Sequence, residues 1–108
     1  MGVPAYLGAK VMSELAYRLL TSAEIAEATE NLPGWTFETN MAAKDFEFET
    51  YQDGVEFSRK VAEIADRMDH HPDIHLMYKK VRIQMWTHSV GGLSPYDLAL
   101  AHKIEEIS

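Results

Sequence analysis

One apolar stripe in the second half of the chain, which stops just before a proline, constrains the fold more than any other feature. Its members recur at the spacing of one helix face and are Phe57, Val61, Ile64, Ala65 and Met68. The spacing predicts a long helix with one buried side, preceded by a turn at Asp53-Gly54 where the helix starts. The helix must end near Asp69, because Pro72 disfavours helical geometry at the residue before it.

Runs of alternating apolar and polar residues lie on both sides of this helix and predict strands, because successive strand side chains point to opposite faces. Two runs precede the helix and two follow it. The members that share a face are Trp35, Phe37 and Thr39; Phe46, Phe48 and Thr50; Ile74, Leu76 and Tyr78; and Val81, Ile83, Met85 and Thr87. In the last run, the opposite face carries Arg82, Gln84, Trp86 and His88. Lys79-Lys80 is the expected tip of the second hairpin, and Gly91-Gly92 is expected to break its second strand.

Three more segments are predicted to be helical. Residues 10–20 show helical spacing, and the capping box of Thr21 and Glu24 starts a second helix that Pro33-Gly34 stops after about Asn31. The last helix is expected to have Ser94 as its N-cap, Pro95 and Asp97 in its first turn, and a buried stripe of Leu100, Ile104 and Ile107.

After residue 20, the order helix, two strands, helix, two strands, helix is typical of an α+β domain. It predicts two layers, a four-stranded antiparallel sheet with helices packed on one face. The length of 108 residues is that of a single domain. A domain of this size has little room for a deep cleft, so we expect pockets at subunit contacts and therefore an oligomer.

Charge and composition exclude several classes of partner and of chemistry. The net charge is −7 and the largest basic cluster is Lys79-Lys80 with Arg82, so direct binding of nucleic acid is not expected. The chain has no cysteine, which excludes thiol chemistry and cysteine-ligated zinc. No segment has the roughly 20 apolar residues that span a bilayer, so we expect no membrane partner. Met1 to Leu20 lacks the basic start of a secretory signal, and the expected location is cytoplasmic.

Three histidines occur in two motifs at the ends of the second hairpin, Asp69-His70-His71-Pro72 and Thr87-His88. Histidine can give or take a proton near neutral pH, because its unperturbed pKa is about 6.5. If Tyr78 and Val81 flank the hairpin turn, His88 lies opposite residue 71. The alternation therefore predicts that the two motifs converge at one end of the sheet.

Three interpretations of this trio stay open. The histidines could be surface or capping residues. They could bind zinc, although adjacent residues on extended backbone point to opposite sides and no H-x-H or H-E-x-x-H spacing is present. They could also act as general acid and base without a metal, at opposite ends of a small substrate. The other two histidines, His75 and His102, are interpreted as ordinary surface residues.

Neighbouring residues have structural as well as functional interpretations. Asp97 suits a helix start, where free amides and the helix dipole stabilise a carboxylate, but it could also orient a histidine. Trp86 could stack on a flat ring or cover the sheet. Asp69 could orient a histidine or end the helix, and the Ser89 hydroxyl has no nucleophile motif around it.

Taken together, these motifs resemble those of the pterin-4a-carbinolamine dehydratases. The residues that carry the resemblance are Asp66, His70-His71-Pro72, Tyr78, Thr87-His88, Gly92-Leu93-Ser94 and Asp97. The likeness extends from about Thr21 to Ile107, whereas residues 1–20 have no counterpart in it. We therefore divide the chain into an N-terminal helical extension, 1–20, and a dehydratase-like domain, 21–108. The family often has bulky aromatics after His-His-Pro, where this chain has Ile74 and His75.

The resemblance implies a dehydratase that removes water from 4a-hydroxytetrahydropterin and gives quinonoid dihydropterin, which recycles the cofactor of aromatic amino-acid hydroxylases. His71 and His88 are expected to transfer the protons, with His70 binding and assisting. The substrate contacts expected besides the histidines are Asp69, Pro72, Trp86, Thr87 and Ser89. The supporting residues expected are Asp66 and Asp97.

The resemblance also bears on cofactors and partners. It implies no metal and no organic cofactor, since the pterin is the substrate, and a homodimer or homotetramer. Two other functions remain open: a dimerisation module of the kind that partners a transcription factor, and a pterin-binding protein of another pathway such as molybdenum-cofactor metabolism.

Overall fold

A computed structural model describes residues 15–38 and 40–108 of the chain, in which helices pack on one face of a single antiparallel sheet. The elements in chain order are α1 (Ser22–Asn31), β1 (Thr36–Glu38), β2 (Met41–Glu47), α2 (Tyr51–Met68), β3 (Asp73–Met77), β4 (Lys80–Met85), a 3-10 turn (His88–Val90) and α3 (Pro95–Ile107). The predicted α+β class and its order of elements are confirmed. None of the described helices combines the length and the apolarity needed to cross a bilayer.

The sheet has the strand order β1-β2-β4-β3, so the strand that ends before His88 lies at its centre. In the β2–β4 register Ala42 is opposite Met85, and in the β3–β4 register Ile74 is opposite Ile83. Val81, Ile83 and Met85 all have almost no exposed surface. They form the floor of a core that α2 and α3 cover, which agrees with the predicted alternation.

The long stripe forms α2, but the helix starts earlier than predicted. Thr50 is the N-cap, with its hydroxyl accepting a bond from the amide of Asp53, so Asp53 and Gly54 lie inside the helix and are not a turn. A Cβ at Gly54 would meet Cγ2 of Val81 at 3.3 Å and Cδ1 of Leu76 at 3.4 Å. The glycine therefore lets the helix approach the sheet closely, a tertiary requirement that resembles a turn signal in the sequence.

The first two strands differ from the prediction in their limits. β1 spans only three residues, and Thr39 lies outside the described residues. β2 begins at Met41 and ends at Glu47, so Phe48 and Thr50 are not part of it. The strand takes in small residues such as Ala42 because it is hydrogen-bonded on both sides, by β1 and by β4, and this pairing outweighs their low strand propensity.

The second hairpin turns one residue earlier than predicted. Met77 pairs with Lys80, and Lys79 takes a left-handed conformation with φ of 60° in the turn. β4 ends at Met85, before Gly91-Gly92, because the amides of residues 90 to 92 turn back to the carbonyl of Thr87. His88 starts the 3-10 turn and is not paired with residue 71 across the hairpin, so that predicted register is wrong.

The segment before α1 is not helical where the structure describes it. Residues 15–20 have no helical conformation, so the predicted helix over residues 10–20 is wrong for these six, while residues 10–14 lie outside the described residues. The amide of Leu20 donates to the carbonyl of Leu93 at 2.8 Å instead of to its own segment. Thr21 is extended as the N-cap of α1, with φ of −78° and ψ of 164°, so no helix can continue through it.

The predicted capping box of Thr21 and the predicted N-cap at Ser94 are both confirmed, and the second is a capping box as well. Thr21 and Glu24 bond reciprocally at the start of α1, and Ser94 and Asp97 do so at the start of α3, where Pro95 occupies the first turn. In α3 the predicted stripe is fully buried at Leu100 and Ile104 and half-buried at Ile107 (its last residue).

Candidate active site

The site is organised around the carboxylate of Asp97, which has no exposed surface. Its Oδ1 lies 2.7 Å from Nε2 of His70. Its Oδ2 accepts from the hydroxyl of Thr87 at 2.8 Å and from the amide of Ser94 at 2.9 Å. A buried carboxylate is tolerated where donors surround it, and here the ends of α2 and β4 and the start of α3 each supply one.

The two interpretations of Asp97 hold together. Oδ2 closes the capping box at the start of α3, and Oδ1 faces the histidine from the end of α2. The hydroxyls of Thr87 and Ser94 are 2.6 Å apart, and because Thr87 donates to the carboxylate, Ser94 donates to Thr87. Ser94 was not predicted as a member of this network, although its predicted N-cap position already placed it near Asp97.

His70 reaches this carboxylate because α2 ends in a left-handed residue. Asp69 has φ of 52° and ψ of 42°, and the amide of His70 turns back to the carbonyl of Ala65 at 3.1 Å. This turn buries His70, which is only 8% exposed, and leaves Asp69 exposed. Asp69 therefore ends the helix, as one of its two interpretations proposed, and no hydrogen bond joins its side chain to a described histidine.

The hydrogen bond to Asp97 also fixes which nitrogen of His70 is available. Because a carboxylate only accepts, Nε2 carries a proton. Nδ1 has no hydrogen-bond partner among the described residues, where no buried side-chain nitrogen or oxygen lacks a partner, so Nδ1 reaches the surface. In the neutral ring its lone pair can then accept a proton or a ligand donor.

The other two histidines of the predicted site are exposed. Nε2 of His71 lies 2.9 Å from Oδ1 of Asp66, with His71 side-chain exposure of 57%. The ring of His88 stacks on Trp86, with centroids 4.6 Å apart and planes at 22°. Both imidazoles can therefore meet a ligand from solvent while each has one partner that restricts its orientation.

Thr87 connects the two motifs. Its hydroxyl is bonded to Asp97, its amide to the carbonyl of Gly92 at 2.8 Å, and its chain neighbours are Trp86 and His88. The structure thus brings His70, Thr87 and Asp97 into one buried network. His71 and His88 are joined to this network through the backbone, because His71 follows His70 and His88 follows Thr87.

The remaining residues that were predicted to contact the substrate lie close to His71 and His88 in the chain. Pro72 is half-buried next to His71, and Ser89 is exposed next to His88. Trp86 is half-buried and lines an open cavity of about 340 Å³ together with Asn40, Met41 and Gly91. No group of three or more described acidic or histidine residues has an arrangement that could hold a metal ion.

Histidines 75 and 102 have different surroundings. His75 is exposed and its Nε2 lies 2.9 Å from Oε1 of Gln84, as expected of a surface residue. His102 is 8% exposed, so its predicted surface position is wrong. Burial lowers its pKa, while Glu106 and Glu105 oppose that change. His102 lies on α3, whose buried face is wider than the predicted stripe and also takes in Ala101 and His102. The sequence pattern does not show this width, because it results from the packing of α3 against α2.

Two tyrosines at the site were missed. The ring of Tyr96 lies 5.7 Å from that of His70, and Tyr17 stacks on Tyr96 with centroids 4.5 Å apart. Tyr96 could have been found from its place between Pro95 and Asp97. Tyr17 has no signal in the sequence, because its contact depends on the course of residues 15–20.

Comparison with known proteins assigns the chain to a family. The family model described as pterin 4 alpha carbinolamine dehydratase matches residues 18–107. The chain belongs to this family. It is 42% identical over 88 residues to a Sulfurisphaera tokodaii protein named "Putative pterin-4-alpha-carbinolamine dehydratase", covering 82% of this chain and 95% of that one. A Mycobacteroides abscessus protein of the same name is 41% identical over 87 residues, covering 81% and 93%.

Two solved structures extend the comparison. A Brucella melitensis protein described as a transcriptional coactivator/pterin dehydratase superposes with a TM-score of 0.78 at 30% identity, over 82% of this chain and 97% of that one. A pterin dehydratase-like protein identified as a RuBisCO assembly factor in the alpha-carboxysome superposes with a TM-score of 0.59 at 21% identity, over 68% and 88%. The second likeness concerns the fold alone.

Proposed function

We propose that this member of the pterin dehydratase family removes water from 4a-hydroxytetrahydropterin to give quinonoid dihydropterin, by histidine acid–base catalysis and in tetrahydrobiopterin recycling. The observation that carries the proposal is the buried Asp97 network, which joins the chain segments of three histidines. A capping box alone has no need of a bond from Asp97 to a histidine 27 residues away. Two exposed imidazoles beside it supply what a dehydration requires.

The chemistry needs one proton given and one taken. The C4a hydroxyl is a poor leaving group, so an imidazolium protonates it, the C4a–O bond breaks and water departs. A neutral imidazole takes the proton from N5, and the electrons of the N–H bond form the N5=C4a double bond. Positioned acids and bases of this kind contribute on the order of 10²- to 10⁴-fold each.

In this proposal His71 and His88 transfer the protons, because both are exposed. Asp66 supports His71 and Trp86 supports His88, through the hydrogen bond and the ring stack. His70, with one nitrogen bonded to Asp97, binds and orients the substrate through Nδ1 and assists the transfer. Asp69, Pro72, Thr87 and Ser89 complete the proposed substrate contacts, and we expect the pterin to be the sole organic partner of the reaction.

The test is direct. The purified chain is added to chemically generated 4a-hydroxytetrahydropterin and the dihydropterin absorbance is followed against the spontaneous reaction. We expect faster dehydration that saturates with substrate. A rate equal to the spontaneous one, in a chain shown to be folded, would refute the proposal.

A second candidate is a non-catalytic dimerisation module. The observation that favours it is the likeness to the Brucella melitensis protein, whose description includes a coactivator role. The two functions differ in what they require of the exposed histidines. A dimerisation role should survive replacement of both His71 and His88, whereas dehydration should not. A homodimer or homotetramer is proposed in either case, and light scattering on the full chain would measure it.

A further inference from the structure

The segment before α1 is attached to the domain beside His70. Leu20 bonds to Leu93, and the guanidinium of Arg18 makes two hydrogen bonds to the carboxylate of Glu24, at 2.8 and 2.9 Å. These contacts fix the segment from its C-terminal side and leave Tyr17 stacked on Tyr96, with ring planes at 22°. Tyr17 lies two residues from the N-terminal end of the described part of the segment.

The stack leads to the proposed substrate site. Tyr96 tilts against His70 at 39°, and its amide bonds to Ser94 in the network around Asp97. The pKa of Tyr17 is raised, first by Tyr96 and to a lesser extent by burial and by Asp69. Tyr17 therefore has Tyr96 as its stacking partner and Asp69 within electrostatic reach, next to the histidine whose Nδ1 reaches the surface.

Tyr17 nevertheless remains 60% exposed. A tyrosine that only anchored the segment would stabilise it most with its ring buried, because the stabilisation grows with the apolar area that is buried. Tyr17 instead keeps much of its surface open next to Tyr96. Open aromatic surface is suited to a flat bicyclic ring or its side chain, because stacking combines apolar contact with quadrupole attraction. The family model matches residues 18–107, so Tyr17 lies just outside the matched range.

We propose that Tyr17 is a substrate-contacting, specificity-determining residue, whose ring forms an aromatic wall of the pterin site on the side of His70. This inference rests on the proposed function. The wall acts on binding and not on proton transfer, since His71 and His88 lie in other segments. Its effect is therefore expected in KM, with kcat nearly unchanged.

The experiment compares Tyr17→Ala, Tyr17→Leu and Tyr17→Phe with Leu19→Ala as the matched control. Leu19 lies on the same segment and is 55% exposed, but it lines a different cavity with Ile25 and Phe37. Each variant is assayed for dehydration and titrated with 7,8-dihydrobiopterin by calorimetry. Alanine and leucine are expected to raise KM and Kd roughly 3- to 10-fold, the worth of one aromatic contact. Phenylalanine and Leu19→Ala should match the unmodified chain.

The outcomes distinguish the two proposals. If the unmodified chain dehydrates the substrate and Tyr17→Ala has the same KM and Kd, the wall is refuted and the dehydratase stands. If the chain binds dihydrobiopterin without turnover and Tyr17→Ala weakens that binding, the wall stands and the dehydratase falls. Absence of both binding and turnover refutes both. A fall in thermal stability of Tyr17→Ala with unchanged KM assigns the residue to anchoring alone, and this too refutes the wall.

Discussion

The buried and the exposed halves of the candidate site hold their histidines differently. In the buried half, Asp97 fixes His70 and also accepts from Thr87 and Ser94. In the exposed half, His71 and His88 each have one partner near solvent. The two halves therefore differ in role: the buried half joins three chain segments, and the exposed half leaves two imidazoles accessible to solvent.

The largest expected effect is on stability, from a change at the centre of the buried half. Asp97→Asn keeps the volume but turns an acceptor into a donor, which leaves part of the network around His70 and Thr87 unpaired. We expect a loss of about 3 kcal/mol in the free energy of unfolding, measured by urea denaturation. The matched change in the exposed half, Asp66→Asn, should cost less than about 0.5 kcal/mol. Equal losses would mean that the two halves do not differ.

The exposed half should show the reverse pattern. His71→Ala and His88→Ala are each expected to lower the dehydration rate at least about tenfold, because a proton-transfer group is lost. Their urea midpoints should stay near that of the unmodified chain, since both side chains are exposed. His75→Ala, at an exposed histidine bonded to Gln84, is the control and should leave the rate unchanged. Normal turnover of either site variant would remove that residue from the mechanism.

A smaller effect is expected on the pH dependence of stability, at one of the two equally buried histidines, His70 and His102. His70 is bonded to Asp97, whereas no carboxylate of the described residues is bonded to His102, and burial lowers the pKa of His102. The unfolded chain then binds a proton at residue 102 more readily than the folded one, so stability falls as the pH drops below about 6.5. His102→Gln should reduce the fall in urea midpoint between about pH 7.5 and about pH 5.5. An unchanged difference between the two pH values would contradict this.

The smallest expected effect lies in the segment that carries Tyr17. The hydrogen bonds from Arg18 are the largest cause of a Glu24 pKa lowered to about 2. The stabilisation is present above the usual carboxyl pKa and is lost as the pH falls through about 2. Because both side chains are partly exposed, Glu24→Gln should cost under about 1 kcal/mol at neutral pH. The difference in thermal unfolding temperature between Glu24→Gln and the unmodified chain should shrink as the pH falls from neutral towards about 2. A difference that does not change with pH would refute the ion pair.

Prediction from the sequence was most successful where the determining contacts are local. Three such predictions are the apolar spacing of α2, the N-cap at Ser94 and the alternation of β4, and each depends on residues a few positions apart. The residues at which the helices and strands begin and end were less well predicted. Gly54 was interpreted as a turn because its function, a close approach to Val81, depends on an element that follows it in the chain.

The candidate site was found from the sequence only in its residue types. The motif order identified His70, His71, His88 and Asp97, yet the register that was expected to join them is wrong, since His88 lies in a turn after β4. The connection runs through Thr87 and Asp97 instead. A hydrogen bond between side chains in different elements leaves no periodic trace in a sequence.

By itself, the sequence determined the order of helices and strands, their buried faces and the family, because spacing and capping act over one or two helical turns and motifs persist as residue types. Only the tertiary structure decided that His70 and Asp97 form a buried pair and that His102 is enclosed by its neighbours. It alone also placed Tyr17 beside Tyr96. These contacts join residues many positions apart, and their geometry is set by how α2 and α3 pack on the sheet and by the course of residues 15–20.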